Sequence, residues 1–196
     1  MRRRHLAGYT LVEVMMTILV IGILTAMAIP AMNPAIHDRL QAGAQVVASD
    51  LAYARSLAVA NNSSYRLTFE LANNRYYLEH SGTNYALNTL PSSPFYSGQD
   101  TATRRYTQID ALPTLGGTVQ LRAVGSNGSS PAPRTTLEFG PYGQTTQPDE
   151  TVIWLTSGAG SAQRYLWVRV NPVTGLATVE DFRASGPSSA IVGSGL

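Results

Sequence analysis

An α+β fold is predicted, with one long N-terminal helix followed by an antiparallel β domain. Three observations lead there. Between Glu13 and His37 lie 23 consecutive residues without a charge or a histidine. From Ile36 to Ala58 apolar residues recur at three- and four-residue steps, as an amphipathic helix requires. From Ser64 onward, short runs alternate apolar and polar residues between turn signals, the mark of half-buried strands. The chain has 196 residues, enough for one domain and an appended element.

Composition narrows the classes. Charged residues make up 13% of the chain, against roughly 25% in an average globular protein. The scarcity is uneven: one apolar run is followed by a polar, glycine-rich remainder. A purely soluble globule and a polytopic membrane protein are both excluded by that pattern. All 14 basic residues are arginine, and three of them are Arg2, Arg3 and Arg4. Without those three, 11 arginines face 12 acids, so the net charge of +2 belongs to the N-terminus. The absence of cysteine removes disulfides, thiolate nucleophiles and Cys-ligated zinc.

The apolar run from Val14 to Ile36 meets the ~20 residues needed to span a bilayer. Arg2–Arg4 directly before it favour a cytoplasmic N-terminus and a translocated C-terminal bulk. A secretory signal peptide has a shorter apolar stretch of ~7–15 residues and a small-residue cleavage site. Neither is present. Glu13 stands at the start of the run, five residues after Gly8. An acid among apolar membrane residues is costly and usually finds a partner; at a helix start it also suits the positive end of the dipole.

The segment Gly8-Tyr9-Thr10-Leu11-Val12-Glu13 resembles the prepilin motif of type IV pilins and type II secretion pseudopilins, with Tyr9 where phenylalanine is usual. The resemblance implies cleavage by prepilin peptidase between Gly8 and Tyr9 and N-methylation of Tyr9. Methylation retains the charge of the new α-ammonium. In a low-dielectric filament core that ammonium and the Glu13 carboxylate of a neighbouring subunit would attract strongly and set subunit register. Pro30, twenty-two residues after Gly8, is expected to kink the helix.

Beyond Pro34 the apolar stripe comprises Ile36, Leu40, Ala44, Val47, Leu51, Ala54 and Ala58. Asp38, Arg39, Gln41, Gln45, Ser49 and Asp50 fall mostly off it, and Asn61-Asn62-Ser63 ends the pattern. If continuous from Tyr9 to Ala60, this helix has 52 residues and a length of about 78 Å. Leu51–Asn61 is similar to the helix end of the GspH/FimT family, with Ala54-Arg55 before an alanine and an asparagine. Arg55 itself reads as a solvated surface arginine.

The expected strands are 65–70, 75–79, 106–109, 118–124, 135–139, 151–156, 165–171 and 176–182. Ala72-Asn73-Asn74 and Asn171-Pro172-Val173-Thr174-Gly175 are the first and last hairpin turns. Leu166, Val168 and Val170 share the face expected to meet the core. Phe139-Gly140-Pro141-Tyr142-Gly143 and Thr174-Gly175 resemble further segments of the same family. Residues 87–105 and 125–134 read as exposed loops. The division is a leader at 1–8, a transmembrane and filament-core helix at 9–36, an amphipathic helix at 37–62, a β-rich domain at 63–183 and a flexible tail at 184–196. The fold the resemblance implies is pilin-like: a long helix, half transmembrane and half amphipathic, packed on an antiparallel β-sheet or β-sandwich.

No catalytic constellation emerges. His5, His37 and His80 are dispersed and have no metal-ligand spacing. The glycine pairs lack a phosphate-binding lysine, and no nucleophile elbow is visible. No cofactor, metal or enzymatic activity is expected, and acids interrupt the arginines enough that nucleic acid is not an expected partner. The resemblance implies a structural minor subunit of a type II secretion pseudopilus, or alternatively a FimT-like minor pilin in pilus assembly or DNA uptake. Implied partners are other pilin-like subunits, prepilin peptidase, an inner-membrane assembly platform and the membrane itself.

Overall fold

The computed structural model describes residues 9–28, 36–91, 98–113 and 115–192. The chain divides into two compact units, residues 1–35 and 36–196. The first contains α1 (Leu11–Ala28). The second contains α2 (Ile36–Ala60), eight strands and a short α3 (Ser189–Val192). Gly8, Pro30 and the expected helical continuity across 29–35 lie outside the described residues.

All eight expected strands form: β1 (Tyr65–Glu70), β2 (Arg75–His80), β3 (Arg104–Gln108), β4 (Val119–Ser126), β5 (Thr136–Phe139), β6 (Thr151–Ser157), β7 (Arg164–Val170) and β8 (Ala177–Val179). They make two four-stranded antiparallel sheets, ordered β3-β2-β1-β5 and β4-β6-β7-β8. β3 starts at Arg104, two residues earlier than expected, because Arg104 stands opposite Glu79 and their side chains pair at 3.0 Å. β8 ends at Val179 rather than Phe182. The chain bulges there and then re-pairs, with Arg183 and Tyr165 exchanging backbone hydrogen bonds of 2.8 and 2.9 Å.

The helix α2 supplies core to both sheets. Leu40, Ala44, Val47, Leu51, Ala54 and Ala58 are fully buried, which reproduces the apolar stripe apart from half-buried Ile36. They join Tyr65, Leu67 and Phe69 of β1, Leu137 and Phe139 of β5, and Ile153, Leu155, Leu166, Val168 and Val170 of β6 and β7 in one cluster. Gly43 belongs to the buried face too. A Cβ there would lie 3.1 Å from Val119 Cγ1 and 3.4 Å from Leu115, so the backbone of α2 approaches β4 closely.

The end of α2 explains why Asn61-Asn62-Ser63 stops the helix. Asn62 adopts φ +45°, Ser63 N–H donates to Ala58 O at 3.0 Å, and Asn62 N–H donates to Val59 O at 3.3 Å. This is a Schellman closure with asparagine in the left-handed position. Asn61 Nδ2 then donates to the Tyr65 hydroxyl at 2.7 Å, tying the cap to the first strand.

Two segments read as exposed behave otherwise. Within 87–105, Leu90 is buried against the main core. The closing residues expected as a flexible tail carry α3, whose Ile191 is buried with Ala123, Val152 and Trp154 on the outer face of the second sheet. That outer face is apolar because β6 is a central strand, buried along its whole length.

Replacing Gly43 by leucine is expected to lower stability by about 1–3 kcal/mol through overpacking against Val119. Thermal unfolding of the detergent-solubilised chain checks this; an unchanged melting temperature contradicts the close approach.

Candidate functional site

The first unit is built around an uncovered apolar helix. Thr10 caps α1: its Oγ1 accepts from Glu13 N–H at 3.3 Å, and Thr10 O accepts from the N–H groups of Glu13 and Val14. Thr10-Leu11-Val12-Glu13 has the spacing of a capping box, which places Glu13 at the third helical position, beside the positive helix end. Glu13 is the one charged residue in α1. Leu11, Val12, Met15, Met16, Ile18, Leu19, Ile21 and Leu24 are all exposed, so apolar side chains surround the helix on every side. Apolar surface on all sides belongs in lipid or against other chains. Among the described residues no helix is long and apolar enough to cross a membrane. The span expected from the sequence runs on into residues outside them. Tyr9 is exposed.

In the second unit the three segments quoted from the sequence converge on Arg55. Its Nε donates to Thr174 O at 2.8 Å. A Cβ on Gly143 would meet Arg55 Nε at 3.0 Å and Val59 at 3.2 Å; one on Gly175 would run into Gly143 O and meet Arg55 Cδ at 3.2 Å. Both glycines have positive φ, +81° and +64°. Thus the end of α2, the Phe139–Gly143 turn and the Thr174-Gly175 turn form one interlocked contact, with Thr145 N–H also donating to Pro172 O at 2.8 Å. From the sequence, Arg55 reads as a solvated surface arginine. The side chain keeps contact with solvent, and the structure adds a role: Arg55 spans two tight turns that are distant in the chain.

Asp50 is a second departure from the sequence reading. It lies on the flank of the buried stripe, three residues after Val47 and four before Ala54, and its Oδ2 accepts from Tyr76 Oη at 2.6 Å and Thr107 Oγ1 at 2.8 Å. It therefore fastens α2 to β2 and β3. Burial raises its pKa above the ordinary aspartate value, opposed by the two hydroxyl donors. Burial, with the neighbouring Asp50 charge, holds the Tyr76 hydroxyl well above its usual pKa.

His80 is buried and bonded on both nitrogens: Nε2 lies 2.7 Å from Ser63 Oγ and Nδ1 lies 2.8 Å from Asn88 Oδ1. With Nδ1–H donating to Asn88, Nε2 accepts the Ser63 hydroxyl. A serine, a histidine and an orienting amide in this order have the connectivity of a nucleophile and its base. The space is wrong for that chemistry. A Cβ on Gly82 would fall within bonding range of Ser63 Oγ and 2.9 Å from Nε2, so backbone packs over the pair. The trio instead seals the α2–β1 junction, with the His80 ring edge-on to Tyr65. A polar cleft of about 450 Å³ adjoins it, lined by Glu79, His80, Asn88, Thr101, Arg104 and Tyr106. Among the described residues no group of His, Asp and Glu side chains could hold a metal ion.

Residues 43–175 match the family model described as Type II transport protein GspH. The chain belongs to the GspH family. Residues 3–29 match a second model, the prokaryotic N-terminal methylation motif. No curated protein matches the chain. Among solved structures it is similar to the type IV minor pilin FimU of Pseudomonas aeruginosa, at 17% identity and TM-score 0.46, covering 79% of this chain and 96% of that one. It is also similar to the minor pseudopilin EpsH from the Type 2 Secretion System of Vibrio cholerae, at 11% identity and TM-score 0.46, covering 72% and 96%. The GspH match spans most of α2 and every strand except β8, and Arg55, Gly143 and Gly175 all fall within it.

Because the folded state holds the Asp50 proton more tightly than the unfolded chain, stability falls as pH rises from the ordinary aspartate pKa through the raised folded value. Asp50→Asn removes that dependence. Its melting temperature relative to the native chain is expected to climb across that window, read by near-ultraviolet circular dichroism; parallel curves contradict the burial of the charge.

Replacing Gly175 by alanine forces a side chain onto Gly143 O at positive φ. A loss of at least about 1 kcal/mol is expected, since strain at such a position typically costs 1–3 kcal/mol. Chemical denaturation measures it.

Proposed function

We propose that this GspH-family chain is a structural minor subunit of a type II secretion pseudopilus, acting by assembly in the export of folded proteins. The observation that carries the reading is the pairing of a methylation-motif helix with a GspH domain on one chain. The uncovered apolar surface of α1 needs neighbours, and a bundle of like helices supplies them.

In this reading the chain inserts in the inner membrane with its N-terminus cytoplasmic and its β domain in the periplasm. Prepilin peptidase cuts between Gly8 and Tyr9, and Tyr9 is N-methylated. An inner-membrane assembly platform then moves the subunit into a helical filament. Glu13 meets the Tyr9 ammonium of a neighbour, where an unpaired buried carboxylate would cost several kcal/mol. Pro30 kinks the helix. The capping position of Glu13 supports this role, because a carboxylate at the third helical residue is one turn from the new terminus.

Deleting the chain should leave exported proteins in the periplasm; loss of DNA uptake with intact secretion points to a competence pilus instead. Mass spectrometry of the membrane-extracted chain should find methylated Tyr9 at the terminus. Glu13→Leu should be cut normally yet fail to enter filaments. Normal incorporation of that variant contradicts the register role.

A further inference from the structure

β4 runs into a loop that carries Asn127-Gly128, the one asparagine–glycine pair in the chain. In such a pair the backbone nitrogen of the second residue can attack the side-chain carbonyl of the first. Glycine permits the approach because it has no Cβ to obstruct it. Asn127 is exposed. The Gly128 N–H donates to no acceptor among the described residues, whereas the Asn127 N–H is held by Glu150 O at 2.9 Å. The residue bearing the electrophile is therefore anchored through its backbone, and the nucleophile is left unengaged.

Two carboxylates flank the pair. A Cβ on Gly128 would lie 2.6 Å from Asp149 Oδ2 and 2.8 Å from Oδ1, so the Asp149 carboxylate packs on the Gly128 backbone. Gly128 does not have a positive φ, so the neighbouring carboxylate, not the backbone conformation, accounts for a glycine there. That carboxylate accepts no hydrogen bond among the described residues. On the other side, Asn127 Nδ2 donates to Glu150 Oε2 at 3.4 Å. Two arginines complete the surroundings. Arg134 Nη1 donates to Asp149 O at 3.3 Å and to Thr151 Oγ1 at 2.7 Å, and Arg169 Nη1 donates to Glu150 Oε1 at 3.2 Å.

We infer that Asn127 is a site of self-modification, in which the fold brings the Gly128 nitrogen, the Asn127 amide and the Asp149 carboxylate together for deamidation. The Gly128 N–H proton passes to Asp149 as the nitrogen attacks Asn127 Cγ. The N–Cγ bond forms, the Cγ–Nδ2 bond breaks, and the amide takes up the proton and leaves as ammonia, which yields a cyclic imide. Water then opens the imide at either carbonyl and gives aspartate or isoaspartate at 127. No oxidant or cofactor enters the balance. A base held against the nucleophile replaces one that must arrive from solvent. The product places a third carboxylate beside Asp149 and Glu150. Glu150 loses an amide donor and gains a like charge, which strains the junction between the end of β4 and the start of β6. This chemistry belongs to the folded domain and does not depend on the filament reading.

The full-length chain in detergent is held at neutral pH and physiological temperature in water enriched in heavy oxygen. Cleavage after arginine releases residues 123–134, in which Asn127 is the sole amide side chain. With time this peptide should exchange –NH2 for –OH, carry one solvent oxygen, and separate into aspartate and isoaspartate forms. Asp149→Ala should slow the conversion at least about tenfold, a modest share of what a positioned base supplies. Asp149→Glu, which keeps a carboxylate, should recover part of the rate. The native rate should also rise less steeply with pH than that of Asp149→Ala, which is left with hydroxide as its base. Near-ultraviolet circular dichroism reports whether each variant is folded. The native chain in denaturant gives a comparison that needs no variant, and it too should convert more slowly. A peptide that stays unchanged overturns the proposal. So do equal rates in the native, Asp149→Ala and denatured chains, because the dipeptide alone would then set the reactivity.

Discussion

The second unit depends on one helix serving two sheets. α2 has to bury its stripe against β1 and β5 on one side and β4, β6 and β7 on the other. That constraint explains Gly43, where a Cβ would lie 3.1 Å from Val119, and the wholly apolar buried stripe around it. Apolar burial is proportional to area and has no direction, so it does not fix the helix along its own axis. Directional contacts do. Asp50 hydrogen-bonded to Tyr76 and Thr107 fixes the middle of α2 on the first sheet, and Arg55 on Thr174 fixes its end on the last hairpin of the second.

The buried carboxylate and the clamped arginine differ in what they risk. Asp50 has lost part of its water and has two hydroxyl donors in exchange, and burial opposes its ionisation. Arg55 keeps contact with solvent and has spent one donor on a carbonyl. The first is therefore an internal anchor. The second holds two turns together at the surface. His80 belongs with Asp50: both nitrogens are occupied and backbone packs over the serine, so an arrangement with catalytic connectivity acts as a seal.

The two units present opposite surfaces. α1 exposes apolar residues around its whole circumference with a single acid at its capped start, whereas the second unit buries most of its large apolar residues in its own core. In a GspH-family chain this is a division between a segment that gains stability from neighbours and a domain that already has its own core.

Local pattern determined much of this from the sequence. Period two located all eight strands, β1 to the residue, and the three- and four-residue steps named six of the seven buried positions of α2. The turn signals at Asn62 and Gly175 were legible because positive φ restricts residue choice. The sequence did not reveal that the strands divide into two sheets, that β5 returns to pair β1, or that Ile191 would cover Trp154. Nor did it reveal the roles of Asp50, Arg55 and His80. Periodicity reports which way a side chain faces relative to its near neighbours in sequence. The partners of these three lie 8 to 119 residues away, and only chain topology brings such distant segments together.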